Sequence, residues 1–311
     1  MAIPDGERMF IGDGGLETVM IFKEGLELPE FASFTLLQEP EGRAAMRRYY
    51  EGFLEIAAAH GTGFAFDTPT WRASMGWGEK LGLSPDEIGD VNREAVSFAA
   101  EVCAGSSAAG IPIAICGTIG PEGDAYHPER TLSAEEAERY HSSQVKVFAA
   151  EGVDMISAYT LTYAEEAIGI VRAAAGAGLP VSISFTVETD GRLPSEEPLR
   201  EAMERLDAET EAAALYLMIN CAHPSHFAAE LEGGGAWLDR LGGVRANASR
   251  KSHEELDDSV ELDSGNPQEL GAEYGALETR LPNLRVLGGC CGTDHRHIAS
   301  ICESCLPGRP G

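Results

Sequence analysis

Three cysteines hold the chemistry that this chain most plainly advertises. Cys290 and Cys291 are adjacent in the glycine-rich segment Leu287-Gly288-Gly289-Cys290-Cys291-Gly292-Thr293, directly after the apolar run Leu284-Arg285-Val286-Leu287. Cys221 closes a second apolar run, Ala214-Leu215-Tyr216-Leu217-Met218-Ile219-Asn220. Thiolate sulfur is a good zinc ligand, and three protein ligands leave a fourth tetrahedral position open for a substrate. Neighbouring side chains on a regular strand point to opposite faces. Two adjacent cysteines can therefore grip one ion only if the backbone leaves the strand at once, which glycine permits. A competing set exists. Cys302-Glu303-Ser304-Cys305 is a C-x-x-C pattern, and Cys290, Cys291, Cys302 and Cys305 would make a closed four-thiolate structural site. Against it, structural zinc ribbons generally use two C-x-x-C pairs. This pair also sits beside the Pro/Gly segment Leu306-Pro307-Gly308-Arg309-Pro310-Gly311. Cys103 and Cys116 read as small buried hydrophobes.

These cysteines must be positioned by the elements around them. Short apolar runs recur, each ending in polar or glycine residues and each followed by a helix-like segment: Phe10–Gly15, Phe64–Thr68, Ile113–Pro121, Asp154–Thr160, Val181–Thr186, the run ending in Asn220-Cys221, Gly243–Ala248, and the run ending in Cys290-Cys291. Eight strands alternating with helices predict a parallel (β/α)₈ barrel, an α/β TIM barrel, with residues 1–311 as a single domain. The segment Glu41 to His60 carries apolar residues at helical three- and four-residue steps. Ser133 with Glu136 forms a capping-box pattern. Ala164 to Ala175 is a helix expected to end at Gly176 and Gly178. The acidic, polar stretch from Ser252 to Gly271 reads as a long loop after strand seven, a rim element or lid. Chemistry in such barrels sits at the C-terminal ends of the strands. Strand ends would bring Asp13, Asp67, Thr118, Tyr159, Thr186 and Asn247 to the mouth that holds the cysteines.

Composition excludes several classes. The chain of 311 residues carries 51 acidic and 23 basic side chains, a net charge of −28, which disfavours nucleic acid and anionic membranes as partners. No apolar run approaches the length of a membrane span. The segment Met1 to Arg8 has no signal-peptide character, and seven cysteines is an odd number, so a cytoplasmic location is expected. A homo-oligomer is compatible with the sequence. Gly12-Asp13-Gly14-Gly15 lacks the spacing of a dinucleotide fingerprint.

Taken together, Asp13-Gly14-Gly15-Leu16-Glu17-Thr18, Gly117-Thr118-Ile119-Gly120-Pro121-Glu122-Gly123, Asn220-Cys221 and Gly288-Gly289-Cys290-Cys291-Gly292-Thr293 resemble, in order and over almost the whole chain, the homocysteine S-methyltransferase family. The resemblance implies a zinc-dependent barrel in which Cys221, Cys290 and Cys291 bind Zn2+ and the sulfur of homocysteine is methylated to give methionine. The substrate contacts expected at that mouth are Asp13, Gly14, Glu17, Asp67, Thr118, Tyr159 and Asn247. The chemistry is consistent with the ligand set. A metal-bound thiol is deprotonated, and an all-sulfur site leaves electron density on the incoming sulfur, whereas zinc hydrolases use mainly histidine and carboxylate. The chain has no room for a cobalamin or folate module beside the barrel, so the expected donor is a small onium compound: S-methylmethionine, S-adenosylmethionine or a betaine-like molecule. One departure stands out. The resemblance implies a glutamate at the end of strand four to hold the amino group of homocysteine, and here Tyr159 occupies that place. A phenol cannot form that ion pair. Either Asp13, Glu17 or Asp67 replaces the missing acid, or the acceptor is a different thiol or thioether. Trp71 and Trp77 are candidates for cation–π contact with an onium donor. His223 is a ligand-orienting or loop-capping residue. A rival of another class is a non-catalytic barrel with structural zinc.

Overall fold

The computed structural model describes residues 8–106, 110–125, 130–259 and 261–306. Eight parallel strands close into a barrel in sequence order: β1 (Phe10–Ile11), β2 (Gly63–Asp67), β3 (Ile113–Ile119), β4 (Met155–Leu161), β5 (Val181–Phe185), β6 (Tyr216–Asn220), β7 (Leu241–Ala246) and β8 (Val286–Gly289). β1 pairs with β8, which joins the two ends of the chain. The first run, with its Asp-Gly-Gly turn, thereby comes to lie beside the last, with its cysteine pair.

Side-chain direction follows from the period of two along each strand. Phe10, Ala65, Ala114, Cys116, Met155, Tyr216, Met218 and Val286 pack inside the barrel. Their neighbours Ile11, Phe64, Phe66, Ile156, Ile183, Leu217, Ile219, Val244 and Leu287 pack outward against the helices. Continuing the inward parity to the strand tops places Asp67 above Ala65, Tyr159 above Met155, Asn220 above Met218 and Arg245 above Gly243. The apolar filling of the barrel thus ends in a polar layer, and that layer is the floor of the site.

Several local expectations are corrected by packing. The helix that follows β4 runs Ala164–Ala177, straight through Gly176, and stops at Gly178 in the left-handed region with φ 73°. Gly178 supplies the positive φ that ends a helix cheaply. The stretch from Ser252 to Gly271 is not one loop. Ser252 caps a short helix, His253–Asp257, through a capping box with Glu255, and Asn266 caps a second helix, Pro267–Glu278. Asn247 lies one residue beyond β7 rather than on it. The Ser133–Glu136 capping box is present. The expectations placed on Met1–Glu7 and Pro307–Gly311 lie outside the described residues. Among the described residues, no helix is long and apolar enough to cross a membrane.

Candidate active site

The polar layer opens into a cavity of about 470 Å³ at the C-terminal end of the barrel. All seven residues singled out as substrate contacts, Asp13, Gly14, Glu17, Asp67, Thr118, Tyr159 and Asn247, line it, together with Cys221, Cys290 and Cys291. The segment after β7 forms part of its rim, through His253, Leu256 and Leu262. Trp71 reaches the wall and its indole N–H donates to the Tyr159 carbonyl at 3.4 Å. Trp77 does not line the cavity. It is buried beneath the Arg72 guanidinium, 3.9 Å from the ring centroid.

The three sulfurs converge. Among the described residues, Cys221, Cys290 and Cys291 form a group whose sulfurs all lie within 4.8 Å of one another, and Cys221 Sγ is 3.7 Å from Cys291 Sγ. Tetrahedral coordination with metal–sulfur bonds of about 2.3 Å sets neighbouring sulfurs roughly 3.8 Å apart. The donor set therefore suits a thiolate-bound metal, and the Cys221–Cys291 spacing already matches one. Hydrogen bonds from Cys221 and Cys291 hold the Cys290 thiol well below its ordinary range, while the same contacts and burial drive the Cys291 thiol well above it. Cys302 and Cys305 are buried in the outer core, away from this group, which removes the four-thiolate set. Cys116 lies inside the barrel and Cys103 packs against the outer core, as small hydrophobes.

Backbone strain positions Cys221. It has φ 54°, in the left-handed region where non-glycine residues are uncommon. Such a conformation costs of order 1–3 kcal/mol and persists only where neighbours over-determine it. They do so here. The Cys221 N–H donates to the Arg245 carbonyl at 3.0 Å. The Cys221 carbonyl accepts from Asn247 Nδ2 at 2.9 Å and from His253 Nε2 at 2.6 Å. Thr160, at the top of β4, is also left-handed, with φ 63°. Asn220 ties the two strained strand ends together: its Oδ1 accepts from Thr160 N at 2.8 Å and its Nδ2 donates to Thr160 Oγ1 at 2.9 Å. The Asn-Cys pair is thus one mechanical unit. Asn220 fixes β4 to β6, and the twist that follows turns the cysteine inward. The expectation that glycines free the Cys290-Cys291 pair is met only after it, at Gly292 with φ 80°.

Arg245, on β7 between the two strands that end in the cysteines, organises the polar layer. Sequence reasoning passed over it, although inward parity on β7 was a usable signal. The buried guanidinium ion-pairs with Asp13 through Nη2 and with Asp67 through Nη1. Its Nε donates to the Gly289 carbonyl at 3.2 Å. Tyr159 Oη donates to Asp67 at 3.0 Å, and Tyr49 Oη donates to Asp13 at 3.1 Å. Burial pushes both carboxyls up, Asp67 to about 6, while the guanidinium pulls them down. Burial also drives the Tyr159 phenol well above its ordinary value, so it stays a neutral donor. Two glycines make room for this arginine. A Cβ on Gly12 would stand 2.9 Å from Nη1, and one on Gly288 would stand 3.0 Å from Cγ. Gly14 has a different role: a Cβ there would meet the Thr293 carbonyl at 2.8 Å, where the first and last loops pack.

Glu17 stands apart from this network. It sits in the first turn of the helix Leu16–Phe22, half-buried in the cavity wall, and accepts a hydrogen bond from Ser33 Oγ at 2.9 Å. Burial raises its carboxyl to about 7. His223 proves to be a capping residue. Its Nδ1 accepts from Ser225 N at the start of the helix Pro224–Glu232, and burial lowers it to about 4.

A family model described as homocysteine S-methyltransferase matches residues 10–305. The chain belongs to the homocysteine S-methyltransferase family. It is accordingly a methyltransferase, and family membership favours a metal at the three cysteines. Curated relatives of this methyltransferase include the S-methylmethionine–homocysteine S-methyltransferase of Pongo abelii, 25% identical over 97% of this chain and 80% of that protein. The betaine–homocysteine S-methyltransferase 1 of Rattus norvegicus is 25% identical over 97% of this chain and 73% of its own length. Among solved structures, the oxidized form of the homocysteine methyltransferase MmuM from Escherichia coli superposes with a TM-score of 0.75 at 19% identity, covering 96% of this chain and 97% of that one. Its metallated form gives 0.71 at 18% identity, covering 96% of each chain. These two likenesses bear on the fold.

Proposed function

We propose that this methyltransferase moves a methyl group from a small onium donor to the sulfur of homocysteine, giving methionine, with zinc held by Cys221, Cys290 and Cys291. The observation that carries the reading is the convergence of three cysteine sulfurs, and no fourth ligand among the described residues, in the wall of an open cavity. A bound zinc would supply deprotonation of an incoming thiol near neutral pH. The relatives named above act with S-methylmethionine or betaine and homocysteine, and the cavity volume lies in the range of small-molecule sites.

The chain's own residues do the rest. The thiol gives up its proton to solvent, and its sulfur forms the new bond to the methyl carbon. The carbon–onium bond breaks, its electron pair returns to the donor heteroatom, and the donor leaves as a neutral group. Asn220, Asn247 and His253 hold Cys221 in the one backbone conformation that aims its sulfur at its partners. The barrel filling below and the rim segment above limit water, so the paired charges of Asp13, Asp67 and Arg245 act in a medium of low dielectric constant.

The test is a product assay with zinc-loaded protein. Homocysteine is supplied with S-methylmethionine, S-adenosylmethionine or glycine betaine carrying a labelled methyl group. Label is expected in methionine from at least one donor, at a rate that falls to background after metal removal and returns with zinc. Label transfer that survives complete chelation would contradict the reading, as would transfer to other thiols but never to homocysteine.

A further inference from the structure

Homocysteine and each of the donors named above carry a carboxylate, and the polar layer is a poor place for it. Asp13 and Asp67 outnumber the one guanidinium between them, so with both ionised the layer keeps a net negative charge and repels an anion. His253 is held between the Cys221 carbonyl and Glu188. The other arginine in the cavity wall is Arg72, on the segment between β2 and the helix Met75–Lys80.

Arg72 is built to stay in place. Its guanidinium carbon stands 3.9 Å from the Trp77 ring centroid, 5.0 Å from that of Trp71 and 5.9 Å from that of Phe31. The cation contact expected of Trp71 and Trp77 for an onium donor is thus made by the protein's own arginine. Nη1 donates to the Glu30 carbonyl, a neutral partner. Nη2 lies 3.7 Å from Asp124 Oδ2, beyond hydrogen-bond distance, and that carboxylate is 40% exposed. An ion pair so loose and so wet is worth little. Asp124 lines the same cavity. A guanidinium fork matches a carboxylate with two parallel hydrogen bonds, and a fork already fixed by stacking loses less freedom in forming them. We propose that Arg72 anchors the carboxylate of a substrate in the cavity wall, and that Asp124 occupies that place until the substrate arrives. The positive wall and the negative layer then orient a zwitterion, carboxylate toward Arg72. The chemistry recognised is a small carboxylate, carried by the acceptor thiol or by the methyl donor. The proposal rests on the methyl-transfer reading only for the choice of ligands.

Binding to the zinc-loaded protein, measured by calorimetry with one ligand present at a time, tests this without turnover. Each ligand is paired with a form that lacks the carboxylate: homocysteine with 3-aminopropanethiol, S-methylmethionine with (3-aminopropyl)dimethylsulfonium, and glycine betaine with choline. Arg72→Gln is expected to bind the carboxylate member of at least one pair about ten-fold or more weakly, as loss of a charged hydrogen bond implies, while its counterpart changes little. The pair that responds identifies which substrate Arg72 holds. Asp124→Asn should act in the opposite direction. With the competing acid removed, the same carboxylate should bind about two- to five-fold more tightly, the scale of an exposed ion pair, and its counterpart no more tightly. A merely structural role for Arg72 would not produce opposite responses in the two variants. Should Arg72→Gln fail to fold, Asp124→Asn decides alone. A protein that shows this discrimination but fails the product assay would retain the Arg72 assignment and lose the methyl-transfer reading. Three results would overturn the proposal: no wild-type preference for the carboxylate member of any pair, equal losses for both members in Arg72→Gln, or carboxylate binding no tighter in Asp124→Asn.

Discussion

Changing Cys221, Cys290 or Cys291 singly to serine is expected to empty the metal site and abolish methyl transfer while leaving the barrel folded. The cysteine pair is half-buried at the mouth, above the packed filling, so its sulfurs hold little of the core together. With only three protein ligands, losing one should lower metal affinity by more than the roughly 10–100-fold cost of changes one shell further out. Elemental analysis of the purified variants, beside their circular dichroism, checks this. Cys302→Ala provides the contrast. That side chain is fully buried in the outer core, so its loss should cost about 1 kcal/mol of stability and no metal. A Cys221→Ser protein with full metal content, or a Cys302→Ala protein with none, would refute the three-sulfur assignment.

Arg245→Met is expected to produce the largest stability loss of any single change at the polar layer. The guanidinium is buried between two carboxylates, and removing one member of such a set leaves uncompensated charge in a poorly solvated place. Losses of about 3–5 kcal/mol accompany breakage of buried ion pairs in this way. The midpoint of urea unfolding should fall accordingly at neutral pH. Adding Asp13→Asn and Asp67→Asn to Arg245→Met should recover much of the loss, because the replaced charges no longer need a partner. Tyr159→Phe, which deletes one hydrogen bond to Asp67, should cost about 1.5–3 kcal/mol. An unchanged midpoint in Arg245→Met would mean that the two carboxyls are neutral without it.

Much of the site was legible before the fold was known, because strand periodicity and strand order are written in short-range pattern. Eight apolar runs with polar ends placed Asp13, Asp67, Thr118, Tyr159 and the cysteines at one mouth, and all of them line one cavity, whereas Thr186, expected there by the same argument, is fully buried and does not line it. Arg245 was missed for a physical reason. Its role depends on two acids far away in sequence and on two glycines, Gly12 and Gly288, whose value is the space they leave. Neither signal is local. His253 was missed similarly, since its contact with the Cys221 carbonyl exists only once the segment after β7 folds back over the cavity as a helix. That segment read as a loop because its acidic composition hides a capping box followed by only one turn and a half. The strain at Cys221 and Thr160 has no sequence signature at all. Neither residue is one that favours a positive φ, and only tertiary hydrogen bonds hold them there.

The central claim is that the acceptor sulfur completes the coordination begun by Cys221, Cys290 and Cys291, and cobalt substitution reads this directly. In the cobalt-loaded protein, saturating homocysteine is expected to strengthen the sulfur-to-metal charge-transfer absorption and to release about one proton per site, since a thiol entering the coordination shell is deprotonated. Homoserine, with oxygen in place of sulfur, should leave the band unchanged. A spectrum that stays fixed under saturating homocysteine while methyl transfer proceeds would contradict the account, and would reduce the three cysteines to a structural role.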